Sequence, residues 1–289
     1  MPTVIGSDSF AEELAKALGA EFIRLEHRVF AEGELCPRIS KKPASRVILA
    51  DRMKAPIDPN TYLVSTLLTL RNLKSLGVKH IDLVMPYFIY SRQDKIFRDG
   101  EPFSAKHVLE LLKEAGADRF FTVTSHACRD SETIGFSPIP SFNINGFTSL
   151  ARHIKTLNLP NPLVIAPDPS TKKAAQTVAG ILGTDCFTFE KTRDKNTGKI
   201  TMAGTPPARG RDIIIVDDVT SSGNTLIKSA ELSKKAGAGR ILACVIHSPL
   251  DRETMEKIRS HVWKFMATDT IDSPASEVSV IETIADKLR

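Results

Sequence analysis

The sequence is poor in cysteine and aromatic residues, and it contains no long hydrophobic run. Its four cysteines are scattered without a CxxC pair, which argues against a zinc site or a disulfide framework and is typical of the reducing cytoplasm. No run approaches the ~20 apolar residues that a membrane helix needs. The N-terminal residues lack the charged and apolar segments of a signal peptide. We therefore expect a cytoplasmic protein with no membrane partner.

Positive charge is in modest excess and is not concentrated in one stretch. The chain has 39 basic and 34 acidic residues, a formal net charge of +5. A nucleic-acid binder usually gathers its basic residues on one face, and no basic stripe with interleaved aromatics is present here. We expect no nucleic-acid partner, and the excess is compatible with small anionic substrates.

Apolar runs that predict strands alternate with helical patterns along the whole chain. Eight strands are predicted, at 3–6, 46–51, 80–87, 119–124, 162–168, 185–192, 212–218 and 240–247. Helical patterns occupy 11–19, 61–77, 104–116 and 225–237. This alternation predicts parallel sheets with helices on both faces.

A weak internal repeat indicates two such domains. The pattern VILAD, helix, IDLVMPY in the first half resembles IIIVD, helix, ILACVIH in the second, at an offset of 160 to 166 residues. The linker is predicted near 137–146, which is rich in Pro, Ser, Asn and Gly. We therefore predict an α/β protein with two tandem doubly wound parallel-sheet domains, 1–143 and 144–289.

The stretch IIIVDDVTSSGNT (213–225) joins a buried-strand pattern to two adjacent acids and a small polar loop. Two carboxylates at one strand end repel each other, so either both are solvated or they face a cation or hydroxyl groups. The helix that follows points backbone N–H groups at the loop and favours an anion there. The plain alternative is an ordinary turn with an N-cap. A phosphate-binding loop beside two acids best suits a sugar phosphate, with the acids taking ring hydroxyls or Mg²⁺.

The usual nucleotide motifs GxxxxGK[ST] and GxGxxG are absent. Any nucleotide must therefore be held in another way.

The stretch VDDVTSSGNT (216–225) resembles the phosphoribosyl-diphosphate (PRPP) motif shared by type I phosphoribosyltransferases and PRPP synthetases. Further stretches resemble the synthetases, ribose-phosphate pyrophosphokinases, especially their shorter archaeal-type form: RVFAEGE (28–34), PYFIYSRQDKIFRDGEPFSAK (86–106), SHA (125–127), APD (166–168), FEKTR (189–193), TDTI (268–271) and EVSV (277–280). The likeness spans nearly the whole chain. It implies two domains of the type I phosphoribosyltransferase kind and a homo-oligomer.

The resemblance also implies an activity and its substrates. The family transfers the pyrophosphoryl group of ATP to the anomeric hydroxyl of ribose 5-phosphate, with Mg²⁺, and releases AMP. ATP would be contacted by Phe30, Glu32, Gly33, Glu34, Arg92 and Gln93. The first four would lie on a loop that a neighbouring subunit contributes and that meets ATP around its adenine. Mg²⁺ of the Mg–ATP complex would be bound by His126 and Asp168.

The remaining site residues implied by the resemblance bind ribose 5-phosphate or carry the catalytic charge. Lys191 and Arg193 would start a mobile catalytic loop, and the polar segment 194–204 suits a hairpin lid. The alternative is that Lys191 and Arg193 lie at the solvated end of a strand and have no catalytic role. Ribose 5-phosphate would be bound by Arg193, Asp217, Asp218, Ser221, Ser222, Gly223, Asn224 and Thr225. We expect the six histidines other than His126 to be structural or exposed.

Three positions depart from the family pattern. Thr124 stands where many synthetases have an Asp, Glu32 stands where Asp is usual, and Pro169 interrupts a loop that is usually small and rich in glycine. Thr124 and Pro169 are the features that favour a non-catalytic, nucleotide-binding regulatory homologue. A phosphoribosyltransferase that consumes PRPP is the other alternative, and the RVFAEGE and PYFIYSRQDK stretches argue against it.

Overall fold

The computed structural model describes residues 2–128, 130–193 and 200–289, and for residues 191–193, 200 and 201 it describes the backbone alone. The chain divides into two compact units. The N-terminal unit comprises the residues up to Asn145 with Thr270–Asp272 and Val280–Arg289, and the C-terminal unit comprises Gly146–Asp269 with Ser273–Ser279.

The N-terminal unit is built on a seven-stranded sheet. Its strands are β1 (Thr3–Gly6), β2 (Glu21–Val29), β3 (Leu35–Ile39), β4 (Arg46–Ala50), β5 (His80–Val84), β6 (Arg119–Val123) and β7 (Ser141–Ile144). Its first three helices are α1 (Ser9–Leu18), α2 (Pro59–Ser75) and α3 (Ser104–Ala115). The strand order is β3-β2-β1-β4-β5-β6-β7, and every pair is parallel except β2 with β3.

The C-terminal unit is built on a six-stranded parallel sheet and a separate antiparallel pair. Its strands are β8 (Pro162–Ala166), β9 (Cys186–Thr188), β10 (Glu190–Arg193), β11 (Ile200–Ala203), β12 (Asp212–Val219), β13 (Ile241–His247), β14 (Lys264–Thr268) and β15 (Ser276–Val278). Its helices are α4 (Gly146–Thr156), α5 (Lys172–Leu182), α6 (Asn224–Lys235) and α7 (Arg252–Arg259). The parallel sheet runs β15-β14-β13-β12-β8-β9, and β10 pairs with β11. Helix α8 (Ile281–Leu288) follows β15 and belongs to the N-terminal unit.

The two sheets repeat one topology. The order β2-β1-β4-β5-β6-β7 in the first matches β9-β8-β12-β13-β14-β15 in the second. In each, the strand order shows that the chain reverses its direction of travel across the sheet once. Crossovers between parallel strands are almost always right-handed, and such a reversal then puts helices on both faces. The predicted doubly wound architecture is confirmed, and the weak sequence repeat is the β4–α2–β5 unit matched to β12–α6–β13.

Each sheet is stabilised by its own apolar core. Ile5, Leu49 and Leu83 are fully buried in the N-terminal unit, and Ile165 and Ile215 are their counterparts in the C-terminal unit. Burying each such side chain contributes about 1.5–3 kcal/mol. Among the described residues, none of the helices is both long enough and apolar enough to cross a membrane.

The structure adds elements that the sequence did not predict, strands β2, β3, β14 and β15 and helices α4, α5, α7 and α8, and it differs from the expectation in three further segments. The predicted linker 137–146 contains strand β7, because its polar residues Ser141 and Asn143 are buried and hydrogen-bonded inside the unit. The units divide at Asn145, two residues beyond the predicted boundary, and the chain end returns to the N-terminal unit because the apolar face of α8 packs against α1. The single predicted strand 185–192 is split into β9 and β10 in different sheets.

Candidate functional site

The carboxyl edge of the C-terminal sheet gathers three carboxylates. Asp217 and Asp218 lie just before the last residue of strand β12 and are 9% and 2% exposed. The pairing of Ile165 with Ile215 places the turn after β8, which carries Asp168, beside them. Burial, followed by the neighbouring charges of Asp218 and Asp168, raises the pKa of Asp217 well above its ordinary value. An edge of this kind favours a cation or hydrogen-bond donors from a ligand.

Asp168 is held in place by its own turn. Its carboxylate accepts hydrogen bonds from the Ser170 backbone N–H at 2.9 Å and from the Ser170 hydroxyl at 2.5 Å. The Thr171 hydroxyl donates to the Asp168 carbonyl at 3.1 Å. The departure at Pro169 therefore leaves an ordered capped turn, in which the hydroxyls of Ser170 and Thr171 bond to Asp168.

The loop after β12 leads directly into the N-terminus of α6. Gly223 is the N-cap residue, with φ +71, and its N–H donates to the Thr220 hydroxyl at 3.2 Å. A Cβ at Gly223 would lie 2.6 Å from Ile258 Cγ1, so glycine is required both for the backbone angle and for space. Ser221 and Ser222 are exposed at the loop tip. The first N–H groups of α6 have no partners within the helix and point towards this loop, which suits an anion.

The predicted catalytic pair lies on β10, next to this sheet but in the antiparallel pair. The backbone of Lys191 aligns with Met202 and that of Arg193 with Ile200. The strand pairing supports a hairpin at this point. The side chains of Lys191 and Arg193, and residues 194–199 of the predicted lid, lie outside the described residues.

In the N-terminal unit, the predicted adenine loop joins β2 to β3. The Phe30 N–H donates to the Glu34 carbonyl and the Gly33 N–H to the Phe30 carbonyl, both at 2.9 Å. Gly33 has φ +89, which closes this short loop. Phe30 is 40% exposed with Arg28 stacked 4.5 Å from its ring centre, and Glu32 and Glu34 are exposed. The loop therefore presents an aromatic face and two acids to solvent.

The second predicted ATP segment lies in the long loop after β5. Arg92 is exposed. The Gln93 side-chain amide donates to the Lys95 carbonyl and to Glu101, both at 3.2 Å. Gln93 thus braces the loop internally, while Arg92 extends from it.

His126 begins a short 3₁₀ helix (His126–Cys128) after β6 and is partly buried. The preceding Thr124 is buried with φ +43, a costly angle for a β-branched residue, and its N–H donates to the Ile144 carbonyl at 2.8 Å. The Ser125 N–H donates to Asn143 at 2.7 Å. Within the described structure, the buried Ser125 hydroxyl has no hydrogen-bond partner. A strained, well-anchored turn therefore fixes where His126 stands.

Sequence reasoning missed a second cluster at the matching edge of the N-terminal sheet. Asp51 directly follows β4 and accepts hydrogen bonds from the Ser7 N–H at 3.1 Å and the Ser7 hydroxyl at 2.5 Å. Arg52 forms an ion pair with Asp8 and is almost fully buried. The internal repeat was the available signal, because Asp51 lies 166 residues before Asp217, within the observed offset.

Family comparisons agree with this architecture. The model described as the phosphoribosyl transferase domain matches residues 140–280, and the model described as the N-terminal domain of ribose phosphate pyrophosphokinase matches residues 3–116. A solved phosphoribosylpyrophosphate synthetase from Mycobacterium smegmatis superposes with a TM-score of 0.83 at 24% identity, covering 100% of this chain and 98% of that one. That likeness shows the fold, two α/β domains of the type I phosphoribosyltransferase kind.

Curated relatives identify the family. The ribose-phosphate pyrophosphokinase of Methanothermobacter thermautotrophicus is 34% identical over 98% of this chain and 97% of that protein. The enzyme of the same name from Sulfolobus acidocaldarius is 30% identical over 96% of each chain. The chain therefore belongs to the ribose-phosphate pyrophosphokinase family of enzymes, as the sequence resemblance predicted.

Proposed function

We propose that the protein synthesises PRPP by transferring the pyrophosphoryl group of ATP to the anomeric hydroxyl of ribose 5-phosphate, with Mg²⁺, and releasing AMP. The observation that carries this proposal is the edge formed by Asp168, Asp217 and Asp218 beside the loop 220–225. Buried acids next to a helix N-terminus suit a ligand with hydroxyls at one end and a phosphate at the other. The family of the curated relatives supports the same reaction.

Ribose 5-phosphate would bind along β12 and its loop. The backbone N–H groups at the start of α6 and the hydroxyls of Ser221, Ser222 and Thr225 would take the 5-phosphate. Asp217 and Asp218 would accept hydrogen bonds from the ribose hydroxyls, and these bonds would offset the burial and the neighbouring charges that raise the pKa of Asp217. The absence of a Cβ at Gly223 leaves room for Ile258 and allows the positive φ on which the conformation of this loop depends.

The donor set fits Mg²⁺ in the way that nucleotide sites usually hold it. Across the described residues, no group of three or more His, Cys, Asp and Glu side chains forms a ready-made metal site. Magnesium is commonly held by one or two carboxylates together with substrate phosphates and water. We propose that Asp168 and the β12 acids would hold it in the C-terminal unit. His126, which the sequence resemblance also assigns to Mg²⁺, belongs to the N-terminal unit. When bound, Mg²⁺ would neutralise charge on the phosphate oxygens.

The chemical step requires positioning and positive charge. The anomeric oxygen forms a bond to the β-phosphorus of ATP, the bond from that phosphorus to the α–β bridging oxygen breaks, AMP leaves with that oxygen, and the hydroxyl proton is released. Negative charge spreads over the phosphate oxygens in the transition state. Lys191 and Arg193, two residues apart on β10, are proposed to stabilise it, the first as a point charge and the second as a bidentate fork.

ATP would be bound through the loop 30–34, Arg92 and Gln93. The exposed Phe30 ring offers a stacking surface for adenine. We propose that the loop serves the site of a neighbouring subunit in a homo-oligomer. A fully active monomer, measured by light scattering alongside turnover, would contradict this part.

The test is a Mg²⁺-dependent assay of purified protein with ATP and ribose 5-phosphate that follows AMP and PRPP together. We expect both products in equal amounts, loss after chelation of Mg²⁺ with recovery on its return, and loss in Lys191→Ala. Lys235→Ala, at the exposed C-terminal end of α6, is the matched control and should retain turnover. No turnover while ATP or ribose 5-phosphate still binds by calorimetry would overturn the enzymatic proposal in favour of a regulatory homologue. PRPP consumption with a free base would favour a phosphoribosyltransferase.

A further inference from the structure

The loop 30–34 lies at the end of an arm that extends beyond the parallel sheet. Strand β2 pairs with β1 only from Glu21 to Arg24. From Leu25 to Val29 its strand partner is β3, and this two-stranded segment with its loop, residues 25–39, is here called the arm. A two-stranded hairpin is at best marginally stable by itself. The position of the loop therefore depends on contacts between the arm and the rest of the unit.

His27 provides such a contact at two points. Its Nε2 lies 3.2 Å from Asp51 Oδ2, at the end of β4, and its Nδ1 lies 3.1 Å from the Ser65 hydroxyl, on α2. Both partners are buried, while the His27 side chain is 34% exposed. The imidazole thus connects the arm to the residue that follows β4 and to helix α2. In the sequence, His27 lies three residues before Phe30.

A nucleophilic role for Ser65 does not fit this geometry. The order Ser65, His27, Asp51 has the residue types of a hydrolytic triad. However, the space bordered by Asp51, Tyr62 and Ser65 is too small to admit a water-sized molecule. The cluster can hold the arm but has no room for a substrate.

We propose that His27 is a positioning residue that holds the arm, and with it the loop 30–34, in the orientation that binds ATP. This inference rests on the proposed function for the identity of the ligand, whereas the tethering of the arm stands on the hydrogen bonds of His27. It replaces the expectation that His27 is merely structural or exposed.

The tether is maintained in both protonation states of the imidazole. Neutral His27 donates from Nε2 to Asp51 and accepts from the Ser65 hydroxyl, whereas the imidazolium donates from both nitrogens. The hydrogen bond to Asp51 raises the pKa of His27 against the opposing effect of burial. The other charged or titratable groups around Asp51 are Arg52 and Asp8, which pair with each other, and Tyr62, whose hydroxyl donates to the Asp51 carbonyl at 2.6 Å.

The experiment compares His27→Leu and Ser65→Ala with His107→Leu. His107 also pairs with a carboxylate, Glu110, but on the exposed surface of α3, so its variant controls for loss of a surface histidine. Two readouts are measured: hydrogen exchange at the Phe30 and Gly33 amides, and the KM values for ATP and for ribose 5-phosphate with kcat. We expect faster exchange and an approximately tenfold higher KM for ATP in His27→Leu, the loss expected for one charge-assisted hydrogen bond. Ser65→Ala should show the same change to a smaller extent.

Two outcomes would overturn the inference. One is unchanged exchange at both amides with an unchanged KM for ATP in His27→Leu. The other is a fall in kcat and in affinity for both substrates together, which would indicate a general structural role. If His27→Leu does not fold, Ser65→Ala decides on the same readouts. If the wild type makes no PRPP, the proposed function fails, and hydrogen exchange with calorimetric titration of ATP still tests the tether separately.

Discussion

The matching carboxyl edges of the two sheets differ in charge at one position. The register of β1 with β4 and of β8 with β12 makes Asp8 equivalent to Asp168 and Asp51 equivalent to Asp217. In the N-terminal unit the next residue is Arg52, which pairs with Asp8. The acids of that edge are therefore bound to partners within their own unit.

In the C-terminal unit, the position of Arg52 is taken by Asp218. The groups that raise the pKa of Asp217 are buried surroundings and two further carboxylates, Asp218 and Asp168. The same strand order thus carries two different arrangements of charge. At the N-terminal edge an arginine pairs with one of the acids. At the C-terminal edge a third acid takes its place, and we propose that a cation or the hydroxyls of a ligand bind there.

The largest expected effect is the loss of activity in Asp218→Asn. We expect turnover to fall by about 10²–10³-fold, the usual result of removing one preorganised electrostatic group. The melting temperature should hold or rise, because one like charge beside Asp217 is removed. Thermal unfolding and the product assay measure both on the same preparation. Retained turnover in Asp218→Asn, or a marked loss of its stability, would contradict the distinction between a structural and a ligand-binding edge.

Arg52→Ala, in contrast to Asp218→Asn, should lower the stability of the fold. It leaves Asp8 without its buried partner, and we expect a loss of about 3 kcal/mol in the free energy of unfolding, at the lower end for a broken buried pair because Asp8 is partly exposed. Urea denaturation measures this. Arg38→Ala, which breaks the exposed pair with Glu26, is the control and should cost less than about 1 kcal/mol. Equal losses in both variants would mean that the Arg52–Asp8 pair has no special structural role.

Gly223→Ala tests the phosphate loop of the acidic edge. The new Cβ meets Ile258 and a backbone angle of +71°, so the loop must shift. Because this strain amounts to about 1–2 kcal/mol, we expect an approximately tenfold rise in the KM for ribose 5-phosphate. Gly210→Ala is matched in backbone angle, at +69°, with open space around the new Cβ, and should leave that KM unchanged. The same rise in both variants would argue against a role for the loop.

The smallest expected effect is on the pH dependence of the unfolding free energy, and it concerns the N-terminal edge. The pKa of His27 is raised above its ordinary value of 6.5 by its hydrogen bond to Asp51. Its charged form therefore stabilises the fold fully below pH 6.5, and this contribution is lost as pH rises through the folded-state pKa. The difference in unfolding free energy between wild type and His27→Gln should be about 1 kcal/mol in acid and should shrink towards alkaline pH. A difference that grows with pH would contradict the pairing.

The sequence predicted the repeated α/β architecture because long apolar runs such as 213–216 and 241–246 form buried strands in almost any context. It also predicted the acid pair and its loop, because these residues are contiguous in the chain. It did not predict β7, whose residues Ser141 and Asn143 are polar and become buried only through tertiary hydrogen bonds. The His27 tether was also missed, because its three members are far apart in sequence and carry no local pattern.

Calorimetric titration of ribose 5-phosphate in the presence of Mg²⁺ tests the central claim most directly. Wild type is compared with Asp218→Asn and with Asp51→Asn, the acid on the other edge. Binding that persists in Asp51→Asn and is lost in Asp218→Asn is the predicted result, because we propose that the C-terminal edge receives the sugar phosphate. Binding that persists in Asp218→Asn, or that is lost equally in both variants, would contradict it.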